Sequence, residues 1–87
     1  MQLLDFWAPW CNPCKLMNPI IDEIEKDNPD LEIVRINVDE DAGMVNNYNI
    51  QTVPTYILIG NDGEIISFVK GAMPKYRFIK ELGLEKN

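Results

Sequence analysis

The sequence predicts one α/β domain: a mixed four-stranded sheet with helices on both faces, in the order strand, helix, strand, helix, strand, strand, helix. Short apolar runs alternate with segments in which apolar residues recur every three or four positions, which indicates strands separated by helices. The turn-forming run Gly60-Asn61-Asp62-Gly63 indicates a hairpin between the last two strands. The length of 87 residues fits a single domain over residues 1–87.

The N-terminal half predicts a strand, a helix and a parallel strand. Residues 3–8 form a buried strand with alternating faces, one of which carries Asp5. Residues 13–27 form a helix with one apolar stripe, and we expect Pro19 to kink it. Residues 31–38, rich in β-branched side chains, form the second strand. Because a helix joins these two strands, we expect them to be parallel.

The C-terminal half predicts a short helix, a hairpin and a last helix. Asp41 is suited to cap the short helix. Residues 52–59 and 64–69 form the antiparallel hairpin. Pro74 opens the last helix and Gly83 ends it. The inward side chains of the short helix are expected to be Met44, Val45 and Tyr48.

Charge and composition exclude several classes of function. The 14 acidic and 8 basic residues give a net charge of -6, which disfavours contact with nucleic acid. The surplus acid lies in residues 22–41, which we interpret as a solvated face. No apolar run has the length of a membrane span and no secretory signal is visible, so we expect a cytoplasmic protein without a membrane partner. The chain has no histidine, glycine-rich phosphate loop or dinucleotide fingerprint, so we expect no metal and no bound cofactor.

The residues with reactive side chains lie in the run WCNPCK at residues 10–15, between the first strand and the first helix. At a helix start, cysteines three residues apart come close enough for a disulfide. Cys11 lies at the positive end of the helix dipole, which favours its thiolate. Cys14, one turn further in, is expected to be more buried and less ionised. This asymmetry suits a two-step exchange, in which Cys11 attacks a substrate disulfide and Cys14 releases the product.

Two other interpretations of the cysteine pair are open at this point. The pair could supply half of a four-ligand metal site, with the other half from a second chain. It could also be an inert structural bridge. The position between a strand and a helix favours redox chemistry over both.

The run DFWAPWCNPCK at residues 5–15, followed by Pro19, closely resembles the active-site segment of the thioredoxin family. The resemblance covers essentially the whole chain in the right order and implies a thioredoxin-like fold. Its further matches are NVD at 37–39, YNI at 48–50, VPT at 53–55, NDG at 61–63 and GA at 71–72.

The resemblance also implies a substrate-binding rim. Val53 and Pro54 are expected to be joined by a cis peptide bond that faces the cysteines, with the backbone of Val53 holding an extended substrate segment. An ordinary proline at the start of a strand is the alternative. Trp10, Gly71 and Ala72 complete the rim, and Gly71 allows a close approach of the substrate backbone.

Asp5 is the candidate proton acceptor. A carboxylate within an apolar strand is costly unless it has a partner, and burial raises its pKa. The resemblance implies that Asp5 lies beneath Cys14 and accepts its proton during resolution. A solvated aspartate at a sheet edge is the alternative. Arg35 stands where the family often has a lysine, and we expect it to hold the pKa of Asp5 down more firmly.

The sequence departs from the family pattern in ways that leave some properties open. It begins one strand and one helix late, so we expect the fold to lack these and the strand at 31–38 to form an exposed edge. We expect a monomer, with pairing of two such edges as the alternative. Asn12 replaces the usual glycine and, with Pro13 and Lys15, is expected to tune the reduction potential. Lys70 favours acidic targets or is merely solvated.

The expected function is protein disulfide reduction through Cys11 and Cys14, in electron transport and cell redox homeostasis. The expected partners are disulfide-containing proteins and thioredoxin reductase, which would supply NADPH and flavin. A glutathione-linked, glutaredoxin-like enzyme is one alternative. A non-catalytic accessory or binding subunit and a metal cluster bridged between two chains are the others.

Overall fold

The computed structural model describes residues 1–84 and has four strands and three helices in the predicted order. The elements are β1 (Gln2–Trp7), α1 (Asn12–Asp27), β2 (Glu32–Asn37), α2 (Ala42–Asn47), β3 (Thr55–Ile59), β4 (Ile65–Lys70) and α3 (Lys75–Leu82). The last three residues of the predicted domain, 85–87, lie outside the described residues. No helix within residues 1–84 combines the length and the apolar character that a membrane span requires.

The sheet has the strand order β2-β1-β3-β4. β1 is parallel to β2 and antiparallel to β3, and β3 is antiparallel to β4. The predicted mixed sheet is therefore confirmed, and β2 lies at its edge within the described chain. The expectation of a monomer stays a prediction.

Helices cover both faces of the sheet, as the patterns predict. On the first face, α1 and α3 pack on alternate residues of β1 and β3, and the rings of Tyr56 and Phe78 meet edge to face with centroids 4.7 Å apart. On the second face, Phe6 lies in a cluster against which Met44 and Tyr48 of α2 pack. Val45, which was expected to point inward, is half-buried and lines a surface groove instead, because α2 has fewer than two turns and only part of it contacts the sheet.

The predicted helix cap and hairpin turn have the predicted roles in the structure, whereas the third strand begins later than predicted. Asp41 accepts a hydrogen bond from the Met44 N–H at 3.1 Å and caps α2. Gly63 donates to the Gly60 carbonyl at 3.0 Å and closes the hairpin turn. β3 starts at Thr55 rather than at residue 52, because the proline before it has no N–H to give to the sheet.

Candidate active site

Cys11 and Cys14 form a disulfide at the N-terminal end of α1. Their Cα atoms are 5.3 Å apart. Cys11 is the N-cap of α1, and its Sγ accepts a hydrogen bond from the Cys14 N–H at 3.1 Å. Pro13 occupies the first turn, where an N–H has no partner within the helix. The Cys11 sulfur therefore lies where the free N–H groups of the helix and its dipole favour negative charge.

The expected difference in burial between the two cysteines is absent from this oxidised form. Cys11 is 4% exposed and Cys14 is 3% exposed. The reason is that one covalent bond holds both sulfurs in the same apolar cluster with Ala8, against which Val53 packs. The difference lies in hydrogen bonding instead, since the Cys11 sulfur receives the helix N–H.

A loop next to the disulfide presents free backbone. The Val53–Pro54 peptide bond is cis in the structure. Within residues 1–84, neither the N–H nor the carbonyl of Val53 makes a backbone hydrogen bond. Gly71 donates its N–H to the Pro54 carbonyl at 3.0 Å, which places the Gly71–Ala72 loop beside this segment. The structure thus places Val53 against the cysteine cluster and Gly71 beside Pro54.

Trp10 precedes Cys11 in the chain and is 66% exposed. Its Nε1–H donates to Asp39, at 3.0 Å to Oδ2 and 3.3 Å to Oδ1. Trp10 and Val53 are among the residues that line an open groove of about 220 Å³. Asp39 is not among the site residues that the sequence predicts. A signal existed, because the carboxyl ends of parallel strands meet at one edge of a sheet, and Asp39 follows β2 as Trp10 follows β1.

Asp5 is buried in the interior strand β1, between β2 and β3, and is 3% exposed. This excludes the alternative of a solvated aspartate at a sheet edge. Burial raises the pKa of Asp5 from its ordinary 3.8 to about 6, and the charge of Arg35 opposes this rise. Arg35 therefore acts in the expected direction, but desolvation outweighs it. The pKa of Tyr56, the β3 residue opposite Asp5, is also raised by burial and by the Asp5 charge.

Arg35 is shared among three carboxylates. Its closest contact is a hydrogen bond of 2.7 Å from Nη2 to Asp22. Its Nε is 3.9 Å from Asp5, and its Nη1 is 4.0 Å from Glu25. Asp5, Asp22 and Arg35 border an open cleft of about 250 Å³, together with Asn18 and Trp7. The interpretation of residues 22–41 as only a solvated face is thus too simple, since Asp22 is tied to the site of the buried aspartate.

Replacement of Asp5 by asparagine is expected to stabilise the oxidised protein at neutral pH. A rise in pKa from 3.8 to about 6 means that the folded protein binds this proton more tightly than the unfolded chain does. The contribution of Asp5 to stability therefore falls as pH rises through this range, by about 3 kcal/mol in total. Asp5→Asn should recover up to about 3 kcal/mol at pH values above about 7, and nothing below about pH 3.8.

Urea unfolding of both oxidised proteins across this pH range measures the difference. Asp30→Asn, which changes one exposed aspartate, is the matched control and should show no such pH-dependent gain. If the wild-type protein instead gains stability relative to Asp5→Asn as pH rises from about 4 to about 7, the pKa of Asp5 is not raised by folding.

The remaining predicted site residues are exposed. Asn12, Pro13 and Lys15 lie in the first turn of α1 beside the disulfide, and their tuning of the reduction potential stays a prediction. The Nζ of Lys70 lies 5.6 Å from the centroid of the Phe68 ring. Lys70 makes no ion pair within residues 1–84. In the same part of the chain, no group of three or more Cys, Asp or Glu side chains is arranged to hold a metal ion.

Comparison with known proteins finds one family throughout. The sequence model of the Thioredoxin family matches residues 1–83. Thioredoxin 1 of Synechococcus elongatus is 42% identical over 74 residues, which are 84% of this chain and 68% of that protein. Thioredoxin of Bacillus subtilis is also 42% identical over 74 residues, or 84% and 70% of the two chains. The crystal structure of oxidised mitochondrial thioredoxin 3 of Saccharomyces cerevisiae superimposes with a TM-score of 0.81 at 32% identity, covering 92% of this chain and 74% of the other.

Proposed function

The chain belongs to the thioredoxin family of thiol–disulfide oxidoreductases, and on that premise we propose that it reduces disulfides in target proteins, with Cys11 as nucleophile and Cys14 as resolving thiol. One observation carries the assignment of roles. The Cys11 sulfur is the one that caps α1 and receives the Cys14 N–H. In the reduced protein, this contact and the helix dipole favour a thiolate on Cys11 over one on Cys14.

The exchange takes two steps. The Cys11 thiolate attacks one sulfur of the target disulfide, a mixed disulfide forms, and the first target thiolate leaves and takes up a proton. Cys14 then loses its proton and attacks the Cys11 sulfur. The protein disulfide forms, the second target thiolate leaves, and two electrons have passed from the protein to the target.

Asp5 accepts the proton of Cys14 in the second step. A base with a pKa of about 6 is largely ionised at neutral pH and still basic enough to take a proton. The open cleft beside Asp5 is lined by Asn18, one helical turn along α1 from Cys14. This cleft offers room for water to carry the proton between the thiol and the carboxylate.

The rim supports binding of an extended target segment. The unpaired backbone groups of Val53 suit hydrogen bonds of the kind that a sheet edge makes to an added strand. Trp10, whose Nε1–H donates to Asp39, supplies apolar contact to the target, and the Gly71–Ala72 loop lies beside Pro54. The target segment would therefore be bound mainly through its backbone, which suits a reductase with many targets.

The test is turnover of a protein disulfide, such as that of insulin, with two alternative electron donors. We expect turnover with NADPH and a flavin-dependent thioredoxin reductase. Turnover only with glutathione would show that the protein is a glutaredoxin-like enzyme. Full biological activity of the double variant Cys11→Ser, Cys14→Ser would favour a non-catalytic binding role. Visible absorbance or bound zinc in the purified protein would favour a bridged metal site.

The proposed compartment is the cytoplasm, where thioredoxin reductase keeps such dithiols reduced. Rapid acid quenching of cells followed by thiol alkylation reports the state of the Cys11–Cys14 pair. A predominantly dithiol form supports this placement, and a predominantly disulfide form contradicts it.

A further inference from the structure

Arg35 makes its short hydrogen bond to an exposed carboxylate and leaves a buried one without such a bond. Asp5 and Arg35 are paired residues in the parallel ladder of β1 and β2, so their side chains leave the same face of the sheet. Yet the separation from Nε of Arg35 to Asp5 is 3.9 Å, too long for a hydrogen bond, whereas that from Nη2 to Asp22 is 2.7 Å.

The position of Asp22 on α1 explains this choice of partner. Cys14, Asn18 and Asp22 follow one another at intervals of four residues, so they share one side of the helix. This side borders the cleft at Asn18 and Asp22, where Asp22 meets Arg35. The helix that carries the resolving cysteine therefore also carries the carboxylate that binds Arg35.

Resting on the function proposed above, we infer that Asp22 is a positioning residue for the proton acceptor: it keeps the Arg35 guanidinium out of hydrogen-bonding contact with Asp5 and so keeps Asp5 able to accept a proton near neutral pH. A guanidinium in direct, bidentate contact with a carboxylate strongly favours the ionised form of that carboxylate. Such a contact would leave Asp5 a weak base. Asp22 prevents this contact by accepting the hydrogen bond of Nη2, a donor at the end of the Arg35 side chain.

Within residues 1–84, charged and titratable side chains lie near Asp5 or near Arg35 on three elements. β2 contributes Arg35 and β3 contributes Tyr56 beside Asp5, and α1 contributes Asp22 and Glu25, which contact Arg35. Tyr56 is neutral near pH 7, because the ordinary pKa of tyrosine is 10.0 and burial raises the pKa of Tyr56 further. Glu25 is at 4.0 Å from Arg35 and competes less well than Asp22. Burial has the largest effect on the pKa of Asp5, and among the neighbouring charges the one that acts on it is that of Arg35.

The deciding experiment titrates the Asp5 carboxyl carbon by ¹³C NMR in the oxidised protein, where the cysteines do not ionise. In Asp22→Asn, the Asp5 pKa should fall by about 0.5 to 1 relative to the wild type, as Arg35 turns toward Asp5. In Arg35→Gln the Asp5 pKa should rise. Because Asp22 is an exposed side chain, we expect its variant to fold.

A double-variant cycle separates positioning from simple loss of a negative charge. In the Arg35→Gln background, Asp22→Asn should shift the Asp5 pKa by less than half of the shift that it causes in the wild-type background. The reason is that this background has no guanidinium for the loss of Asp22 to release. An equal shift in both backgrounds, or no shift in Asp22→Asn alone, overturns the inference. Glu25→Gln is the matched charge control and should have a smaller effect than Asp22→Asn.

The same variants report on release of the mixed disulfide. The acid limb of its pH profile should move to lower pH in Asp22→Asn by the same amount as the Asp5 pKa. If Asp5→Asn leaves release unchanged, the proposed role of Asp5 fails, whereas the NMR cycle still decides what Asp22 does to Arg35.

Discussion

Replacement of Cys14 by serine is expected to stop turnover and to leave target proteins attached to Cys11. The attacking sulfur keeps its place in this variant, because the hydrogen bond that it accepts comes from the backbone N–H of residue 14. Without the resolving thiol, the mixed disulfide cannot be released by the protein itself. We expect insulin reduction to fall by at least about a hundredfold, as for other residues that act as one catalytic unit.

Mass spectrometry after incubation with oxidised targets measures the trapped adducts. Cys14→Ser should carry one target per chain, joined through Cys11, and dithiothreitol should release it. The matched control is Cys11→Ser, in which the cysteine without the capping position remains and far less adduct should form. More adduct on Cys11→Ser than on Cys14→Ser would reverse the two roles.

Replacement of Asp5 by asparagine is expected to slow release of the mixed disulfide by about 100-fold at neutral pH, the lower end of the range for general base catalysis. Asparagine keeps the shape of the side chain but cannot accept the proton of Cys14. Release should then depend on spontaneous ionisation of Cys14, so the rate should rise with pH and approach that of the wild type above about pH 9.

Single-turnover release of a fluorescent peptide from Cys11 measures this rate, since it isolates the second step from substrate binding. Asp30→Asn is again the matched control, because it removes one exposed carboxylate elsewhere. Equal release rates for Asp5→Asn and the wild type across pH would remove Asp5 from the mechanism. Because the same variant is expected to be more stable, a loss of rate could not be ascribed to unfolding.

Much of the fold was predictable because its signals are local. The stripe at Met17, Ile20, Ile21 and Ile24 predicts a helix with one buried side; three of these residues are buried and Ile20 is half-buried. The turn at residues 60–63 predicts the hairpin of β3 and β4. Element ends were less accurate, as at β3, where hydrogen bonding to neighbouring strands decides the first residue.

The element order and the position of the two cysteines at a helix start follow from local sequence, because a helical turn and a capping position depend on residues within four of each other. The packing of distant segments places Asp5 in an interior strand, turns Arg35 to Asp22 and joins Trp10 to Asp39 by a hydrogen bond. The Arg35–Asp22 and Trp10–Asp39 pairs are 13 and 29 residues apart in the chain. Alternation along a strand shows which side chains share a face, but the packing of α1 on the sheet determines which of them lose water and which charges they meet.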